Sequence, residues 1–147
     1  MAACIDNGAA VADIGTDHGL LPIHLALNGP ASEIIATDIS KGSLDSARKN
    51  AGKYGVADMI TLIETPGLDG LEERNIDTVV IAGLGGETIA GIIAEAPWLK
   101  ERKLKLVLQP QTKTALLCAQ LRASGYTIKT AKLTSDRSRH YVVIEVC

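Results

Sequence analysis

The sequence predicts a single α/β domain, residues 1–147, built on a seven-stranded and mostly parallel sheet with helices on both faces. Short apolar runs alternate with longer amphipathic segments, which is the pattern of strands joined by helical crossovers. Hydrophobic residues make up 46% of the chain, yet it has three Tyr, one Trp and no Phe. Ile, Leu, Val and Ala must therefore form the core, as in parallel sheets covered by helices. The last two strands have no helix between them, which predicts an antiparallel hairpin at one edge.

The individual elements follow from apolar runs and from the turn residues that interrupt them. Seven strands are predicted at residues 11–14, 33–37, 60–64, 76–82, 104–108, 126–133 and 139–146. Four helices are predicted at residues 20–27, 40–54, 87–96 and 112–123. The Asn-Gly-Pro of residues 28–30 stops the first helix, Ser40 caps the second, and Pro97 stops the third. The polar residues 134–138 are predicted to form the turn of the final hairpin.

The composition and charge of the chain limit the classes of function it can have. The 15 Lys and Arg are outnumbered by 17 Asp and Glu, and this net charge of −2 argues against tight nucleic-acid binding. The most concentrated set of basic residues, within residues 100–105, is interpreted as a solvated connection between a helix and the fifth strand. The three cysteines show no metal-ligand spacing, so we expect reduced thiols and no metal site. We find no signal peptide and no apolar stretch of membrane-spanning length, which predicts a cytoplasmic protein.

The loop after the first strand is rich in glycine and lies where open α/β sheets bind ligands. Gly15 permits a tight turn, and Gly19 lets the following helix pack close to the strand. Asp17 stands where a dinucleotide-binding loop has its second glycine, so it would repel a pyrophosphate. Asp13 and Asp17 instead suit a ligand with positive charge, such as S-adenosylmethionine (SAM), which carries an ammonium and a sulfonium group. A purely structural turn is the alternative.

An acidic residue, Asp38, ends the second strand, 25 residues after Asp13. About 20 residues beyond a glycine loop is the place where a carboxylate holds ribose hydroxyls. Asp38 could otherwise help to cap the next helix. Ile39 beside it is expected to pack on an adenine ring.

A second glycine-rich segment, residues 82–86, follows the fourth strand. Its three glycines cost backbone entropy unless a ligand or substrate must approach closely, the alternative being a flexible turn. Gln109 follows the fifth strand at the same rim, where its amide could bind a base edge or only be solvated. His18 in the first loop could orient a substrate, accept a proton or donate to a carbonyl.

These segments resemble the bacterial tRNA (adenine-N1)-methyltransferases that act on adenosine 22, the TrmK family. The likeness lies in Ala-Asp-Ile-Gly-Thr-Asp-His-Gly at 12–19 with Leu-Pro at 21–22, in Asp-Thr-Val-Val-Ile-Ala-Gly-Leu-Gly-Gly at 77–86, and in Leu-Gln-Pro at 108–110. It spans nearly the whole chain. The two glycine motifs together are far more specific than a generic SAM loop, and N6-adenine methyltransferases carry an Asn/Asp-Pro-Pro-aromatic motif in place of residues 83–86.

The resemblance implies a Rossmann-like class I methyltransferase fold. It implies that SAM donates a methyl group to N1 of an adenosine in tRNA, leaving S-adenosylhomocysteine, with no metal. The implied cofactor site comprises Asp13, Gly15, Thr16, Gly19, Asp38, Ile39, Pro66, Gly67, Ala82 and Gly83. The implied catalytic set that binds the base comprises Asp17, His18, Gly83, Gly85, Gly86 and Gln109. The N1 lone pair can attack the methyl group directly, so positioning would supply most of the rate, once the adenosine is extruded from its stack.

Three features depart from the family pattern. Pro66-Gly67 stands where the family has Asp-Gly near the cofactor's adenine, and Val142 replaces an acidic residue after Tyr141. The C-terminal helical domain with which the family holds tRNA is absent, so we expect weak tRNA binding and leave the oligomeric state open. A methyltransferase of another substrate, a non-catalytic SAM- or nucleotide-binding module and an oxidoreductase are the alternatives.

Overall fold

The structure, a computed structural model, describes all 147 residues. The strands are β1 (Ala9–Ile14), β2 (Ala31–Asp38), β3 (Thr61–Glu64), β4 (Thr78–Leu84), β5 (Lys105–Pro110), β6 (Ile128–Asp136) and β7 (Arg139–Val146). They form one seven-stranded sheet in the order β3-β2-β1-β4-β5-β7-β6. The last two strands pair as an antiparallel hairpin at one edge. The predicted Rossmann-like fold class is therefore confirmed.

The helices are α1 (Leu20–Asn28), α2 (Lys41–Lys53), α3 (Gly86–Ala94), α4 (Trp98–Glu101) and α5 (Thr114–Ala123). Ser40 caps α2 as predicted, because its hydroxyl oxygen accepts a hydrogen bond from the N–H of Ser43 at 3.3 Å. Helix α4 and two 3-10 turns, Ala2–Cys4 and Ala57–Met59, were not predicted because such short segments show no helical period. None of the helices combines the length and the apolar character that a membrane span requires.

The chain divides into two compact units, residues 1–80 and residues 81–147. In the first unit, β2 pairs in parallel with both β1 and β3, with Thr37 opposite Ile14 and Asp38 opposite Glu64. All of β1 is buried, as are residues 34–37 of β2, and α1 and α2 pack against this part of the sheet. Because the three strands are parallel, their carboxyl ends meet at one rim.

In the second unit, β7 runs antiparallel to both β5 and β6, and α3 packs against α5. The core of this unit surrounds β5, which is buried along nearly all of its length. The predicted turn at residues 134–138 is wrong: β6 continues to Asp136, and only Arg137 and Ser138 connect the two strands. The polar composition of residues 134–136 concealed their pairing, since an exposed edge strand needs no apolar alternation.

Two further strand boundaries were predicted too early, each at a carboxyl end. Strand β4 continues through Gly83 to Leu84, and β5 includes Gln109 and Pro110, which were expected to follow it. Hydrogen bonds connect the ends of these two strands. The N–H of Gly83 donates to the side chain of Gln109 at 3.1 Å, and that of Gln111 donates to the carbonyl of Leu84 at 2.9 Å. Glycine and proline disfavour strands locally, but pairing with a neighbour overrides that preference.

The start of α1 lies against α2 because Gly19 has no side chain. A Cβ at this position would lie 2.9 Å from the Cβ of Ala47 and 3.3 Å from its Cα, and the φ of Gly19 is +73°. We expect Gly19→Ala to lower the free energy of unfolding by about 2–4 kcal/mol, because left-handed backbone and overpacking both oppose it. Urea denaturation measures this loss. Gly29→Ala is the matched control, since its φ is +71° but nothing lies within 4 Å. Equal losses in the two variants would contradict a role for the Ala47 contact.

Candidate functional site

The glycine loop that follows β1 is held in place by the end of β2. The backbone N–H groups of Gly15 and Thr16 both donate to the carbonyl oxygen of Thr37, each at 2.9 Å. The N–H of Asp17 donates to Oδ2 of Asp38 at 3.0 Å. Gly15 and Asp17 have φ values of +73° and +53°, so the chain turns sharply here. The last two residues of β2 therefore determine the shape of the loop.

The carboxylate of Asp38 also connects this loop to the start of α2. While Oδ2 accepts from Asp17, Oδ1 accepts from the N–H of Ser40 at 2.8 Å, and the backbone carbonyl accepts from the N–H of Thr65 at 3.1 Å. A carboxylate has about four lone-pair positions, so two remain after these bonds. Asp38 thus accepts a hydrogen bond at the start of α2, in agreement with the alternative that it helps to cap this helix. It also keeps the capacity to accept hydrogen bonds from ligand hydroxyls.

The carboxyl group of Asp13 is buried next to the same loop, with 5% of the residue exposed. Burial raises the pKa of Asp13 from 3.8 to about 6, against the lowering effect of the Thr16 side chain, and the Asp38 carboxylate raises it further. The hydroxyl of Thr16 is itself buried and makes no hydrogen bond of good geometry. A buried carboxyl group without a salt bridge is costly, and so is a buried hydroxyl whose hydrogen bonding is poor. A cationic, hydrogen-bonding ligand would satisfy both groups.

The side chains of Asp17 and His18 point from the loop into solvent. They are 66% and 60% exposed, and His18 Nε2 lies 3.6 Å from Asp17 Oδ2. The backbone beneath them is fixed from α2, because Asn50 Nδ2 donates to the carbonyl of His18 at 3.0 Å. These two side chains are therefore available to a substrate on a backbone that is already in place.

The Pro66-Gly67 turn after β3 is connected to the same strand end. The hydroxyl of Thr37 donates to the carbonyl of Gly67 at 3.5 Å, and the φ of Gly67 is +53°. Ile39, directly after β2, is 73% exposed and presents an apolar surface beside Asp38. The first unit thus brings together the predicted cofactor residues that it contains, at the carboxyl ends of its parallel strands.

In the second unit, the three glycines around the end of β4 have different surroundings. A Cβ on Gly86 would lie 2.5 Å from the carbonyl oxygen of Lys113 and 2.8 Å from that of Thr112, so Gly86 permits close backbone packing. A Cβ on Gly85 would lie 3.2 Å from the hydroxyl of Thr112. Gly83 is exposed, has a φ of +75° and would meet nothing nearer than 3.8 Å. Packing accounts for Gly86, and Gly83 is the glycine that stays open to a ligand.

Gln109 lies within β5, is 9% exposed and directs its amide to the backbone. Its Oε1 accepts from the N–H of Gly83 at 3.1 Å, and its Nε2 donates to the carbonyl of Pro110 at 3.2 Å. Binding of a base edge by Gln109 stays a prediction, and the structure shows that it also holds Gly83. Ala82, before this glycine, is half-buried. No group of three or more His, Cys, Asp or Glu side chains could hold a metal ion.

Two residues that hold this site were missed by the sequence analysis. Thr37 is fully buried, accepts from the glycine loop through its carbonyl, and reaches Gly67 through its hydroxyl. Asn50 holds His18 from α2. The available signals were weak: a polar residue at the end of an apolar strand, and an asparagine three positions after the buried Ala47 on a helix.

The chain matches the family described as methyltransferase domain over residues 1–144. It is 32% identical over 144 residues to the tRNA (adenine(22)-N(1))-methyltransferase of Bacillus subtilis, covering 98% of this chain and 60% of that protein. The chain spans about three fifths of the length of the curated relatives that it matches first.

Several solved structures are similar over 99% of the chain, and two of them contain SAM or its product. One is a Streptococcus pneumoniae protein in complex with SAM, with a TM-score of 0.90, 30% identity and 68% of that chain covered. The other is the TrmK of M. capricolum in complex with S-adenosylhomocysteine, with a TM-score of 0.83, 34% identity and 64% of that chain covered.

Removing the Asp38 carboxylate should destabilise the protein even without a ligand. Asp38→Ala leaves the N–H groups of Asp17 and Ser40 without their acceptors, so we expect a loss of about 1–3 kcal/mol in the free energy of unfolding. Asp38→Asn keeps one acceptor oxygen and should lose about half as much. Urea denaturation tests both. The control is Asp45→Ala, which removes an exposed ion pair with Arg48 and should cost about 0.5 kcal/mol or less. If Asp38→Ala lowers the free energy of unfolding no more than the control does, the carboxylate does not stabilise the connection between the glycine loop and α2.

Proposed function

This chain belongs to the methyltransferase domain family, and we propose that it transfers the methyl group of SAM to N1 of an adenosine in tRNA, at position 22. Its resemblance to the TrmK family is confirmed by matches over 98–99% of the chain. The observation that carries the proposal is the buried Asp13 carboxyl group, without a salt bridge, beside a glycine loop held by Asp38. A ligand that combines a cation with vicinal hydroxyls satisfies both carboxylates.

The residues of the first unit suit SAM group by group. When bound, SAM supplies an electrophilic methyl group on its sulfonium. We assign the ammonium group to the Asp13 carboxylate, because a buried carboxylate is stabilised by a cation. The two remaining lone-pair positions of Asp38 would accept the ribose hydroxyls, and the exposed side chain of Ile39 would cover the adenine. The backbone of the first unit's site would come from Gly15, Thr16, Gly19, Pro66 and Gly67. In the second unit, we assign Ala82 and Gly83 to the cofactor as well.

The exposed pair of Asp17 and His18 is proposed to position the adenine of the substrate. Methylation at N1 needs the nitrogen lone pair to be free, so these side chains must hold the base by other atoms and must not protonate N1. The reaction leaves the adenine positively charged, and an exposed carboxylate such as that of Asp17 would stabilise this charge. In the second unit, we assign contacts with the base to the backbone of Gly83, Gly85 and Gly86 and to Gln109.

Two alternative functions are a methyltransferase of another substrate and a non-catalytic SAM-binding module. The exposed Asp17 and His18 favour an enzyme, because a module that only binds SAM needs no free side chains above the cofactor loop. A tRNA substrate would place the protein in the cytoplasm.

The proposal predicts both a ligand and a reaction. SAM and S-adenosylhomocysteine at 100-fold excess over the Kd should each raise the free energy of unfolding by about 2.7 kcal/mol, and NAD should not. Thermal denaturation measures this. Methyl transfer from labelled SAM should occur with a tRNA transcript that has adenosine at position 22 and should be lost when guanosine replaces it. A rise in melting temperature with NAD but with neither SAM nor S-adenosylhomocysteine would contradict the methyltransferase proposal. Methyl transfer to both transcripts would contradict position 22.

The buried Asp13 predicts a pH dependence of SAM binding. Because its pKa is raised to about 6, the affinity for SAM should fall as the pH decreases through about 6. Asp13→Asn should bind more weakly and lose this dependence in calorimetry. Stability should change in the opposite direction. A carboxyl group with a raised pKa contributes most stability below its unfolded pKa, and the contribution is lost as the pH rises through the folded value.

Asp13→Asn should therefore be more stable than the wild type at pH 7, by up to about 3 kcal/mol for a shift of this size in a buried group. Asp45→Asn, at an exposed position of α2, is the control. It should leave the affinity for SAM unchanged and should alter the free energy of unfolding by about 0.5 kcal/mol or less, through its ion pair with Arg48. An affinity for SAM that is independent of pH between about 5 and 8 would contradict the assignment of the ammonium group to Asp13.

A further inference from the structure

The two compact units carry net charges of opposite sign. Residues 1–80 contain 5 Lys and Arg against 12 Asp and Glu, whereas residues 81–147 contain 10 against 5. The net charge of −2 for the whole chain therefore conceals a distinctly basic second unit. Charge asymmetry of this kind suggests that an anionic partner such as nucleic acid binds the basic part.

The basic set at residues 100–105 is largely used within the protein. Lys100 donates to the carbonyl of Ser124 at 2.8 Å, and the Nζ of Lys105 lies 3.4 Å from a carboxylate oxygen of Glu145. These side chains support the fold of the second unit. They are therefore not the free cations that a phosphate backbone would need.

The remaining concentration of positive charge is the hairpin tip, which we define as residues 129–140 of β6, the turn and β7. It contains Lys129, Lys132, Arg137 and Arg139, and its only acidic residue is Asp136. Residues 131–140 are all exposed. The ion pairs of this unit, such as that of Lys113 with Glu87, involve none of the four cations. Although Asp136 lies opposite Arg139 in the register, the hairpin tip presents a clear excess of positive charge to solvent.

The register of the strands places this hairpin tip beside the rim that carries Gly83 and Gln109. Leu108 of β5 lies opposite Ile144 of β7. Strand β5 ends two residues after Leu108, whereas β7 begins five residues before Ile144. At about 3.4 Å per residue, the hairpin projects about 10 Å beyond the end of β5. A substrate that reaches the rim of this unit would have the hairpin tip alongside it.

The backbone conformation of the turn is a separate argument for a binding role of Arg137. Lysines on an edge strand often prevent strands of two molecules from pairing, and this would account for Lys129 and Lys132. It does not account for Arg137. Arg137 and Ser138 have φ values of +45° and +67°, in a two-residue turn where Asn and Gly are strongly preferred. An arginine in that conformation is not explained by the fold, which points to an interaction outside it.

We propose that the hairpin tip binds the phosphodiester backbone of the RNA substrate. The inference rests on the proposed function, which supplies the class of substrate. It adds the surface of the protein that would hold this RNA. Arg137 and Arg139 would contact phosphates at the tip, and Lys132 would do so on β6, because guanidinium and ammonium groups bind phosphate oxygens strongly. Contacts of this kind bind without reading sequence and position the substrate on the enzyme.

The test is a double variant of the intact chain, Arg137→Gly/Arg139→Gln. Glycine suits the left-handed turn, so the melting temperature should not fall. Affinity for a tRNA transcript should weaken about tenfold, and the slope of log Kd against log salt should decrease by about 1–2, while SAM affinity is unchanged. The matched control, Lys53→Gln/Arg122→Gln, removes the same charge from exposed helix positions and should bind tRNA within about twofold of the wild type.

The outcomes separate this proposal from the proposed function. A double variant with wild-type tRNA affinity and salt slope would overturn the role of the hairpin tip and leave methyl transfer to tRNA standing. Wild-type protein that binds poly-L-glutamate as tightly as tRNA, and loses both in the variant, would assign the surface to an acidic protein partner instead. Wild-type protein that binds SAM but neither binds nor methylates tRNA would overturn both proposals.

Discussion

The end of β2 is the point on which the first unit's site depends. The carbonyl oxygen of Thr37 has two lone pairs, and the N–H groups of Gly15 and Thr16 take both of them. Gly15 and Thr16 follow the end of β1, so their N–H groups are outside the regular strand pairing. A buried donor without an acceptor would lower the free energy of unfolding by about 1–3 kcal/mol. The Asp38 carboxylate then adds bonds to Asp17 and Ser40. The loop is thus shaped by the protein itself, and a ligand meets a surface that needs little further ordering.

The ordered loop lies beside a group that destabilises the fold, the buried carboxyl group of Asp13. Its carboxyl group is buried, and its pKa is raised to about 6, so at neutral pH the fold holds a negative charge without a salt bridge. A protein shaped by stability alone would place an apolar side chain or an ion pair at that position. The unfavourable charge makes sense as half of an interaction that a cationic ligand completes. On the proposed assignment, binding of the ligand would offset the stability that this charge costs.

The fold was predictable because its signals are local, whereas the site was predictable only in part. Alternating apolar runs revealed the strands, and Asp38 stood out as an acid at the end of one. Thr37 and Asn50 did not stand out, because each acts on a backbone group brought near by folding. The extension of β5 through Pro110 was missed for a related reason, since its register comes from a neighbouring strand. Sequence patterns report which residues are buried, and they do not report which backbone groups those residues will meet.

The same distinction applies to charge, because a net charge counted over the whole chain does not describe how that charge is distributed. A net charge averages over distance, whereas screening in salt limits an exposed charge to partners within about 10 Å. Within that range the hairpin tip holds four cations and one acidic residue, Asp136. The set at residues 100–105 is denser in sequence, but Lys100 and Lys105 are committed to Ser124 and Glu145. What matters for a polyanion is exposed charge without a partner, and the fold concentrates that charge at the hairpin tip.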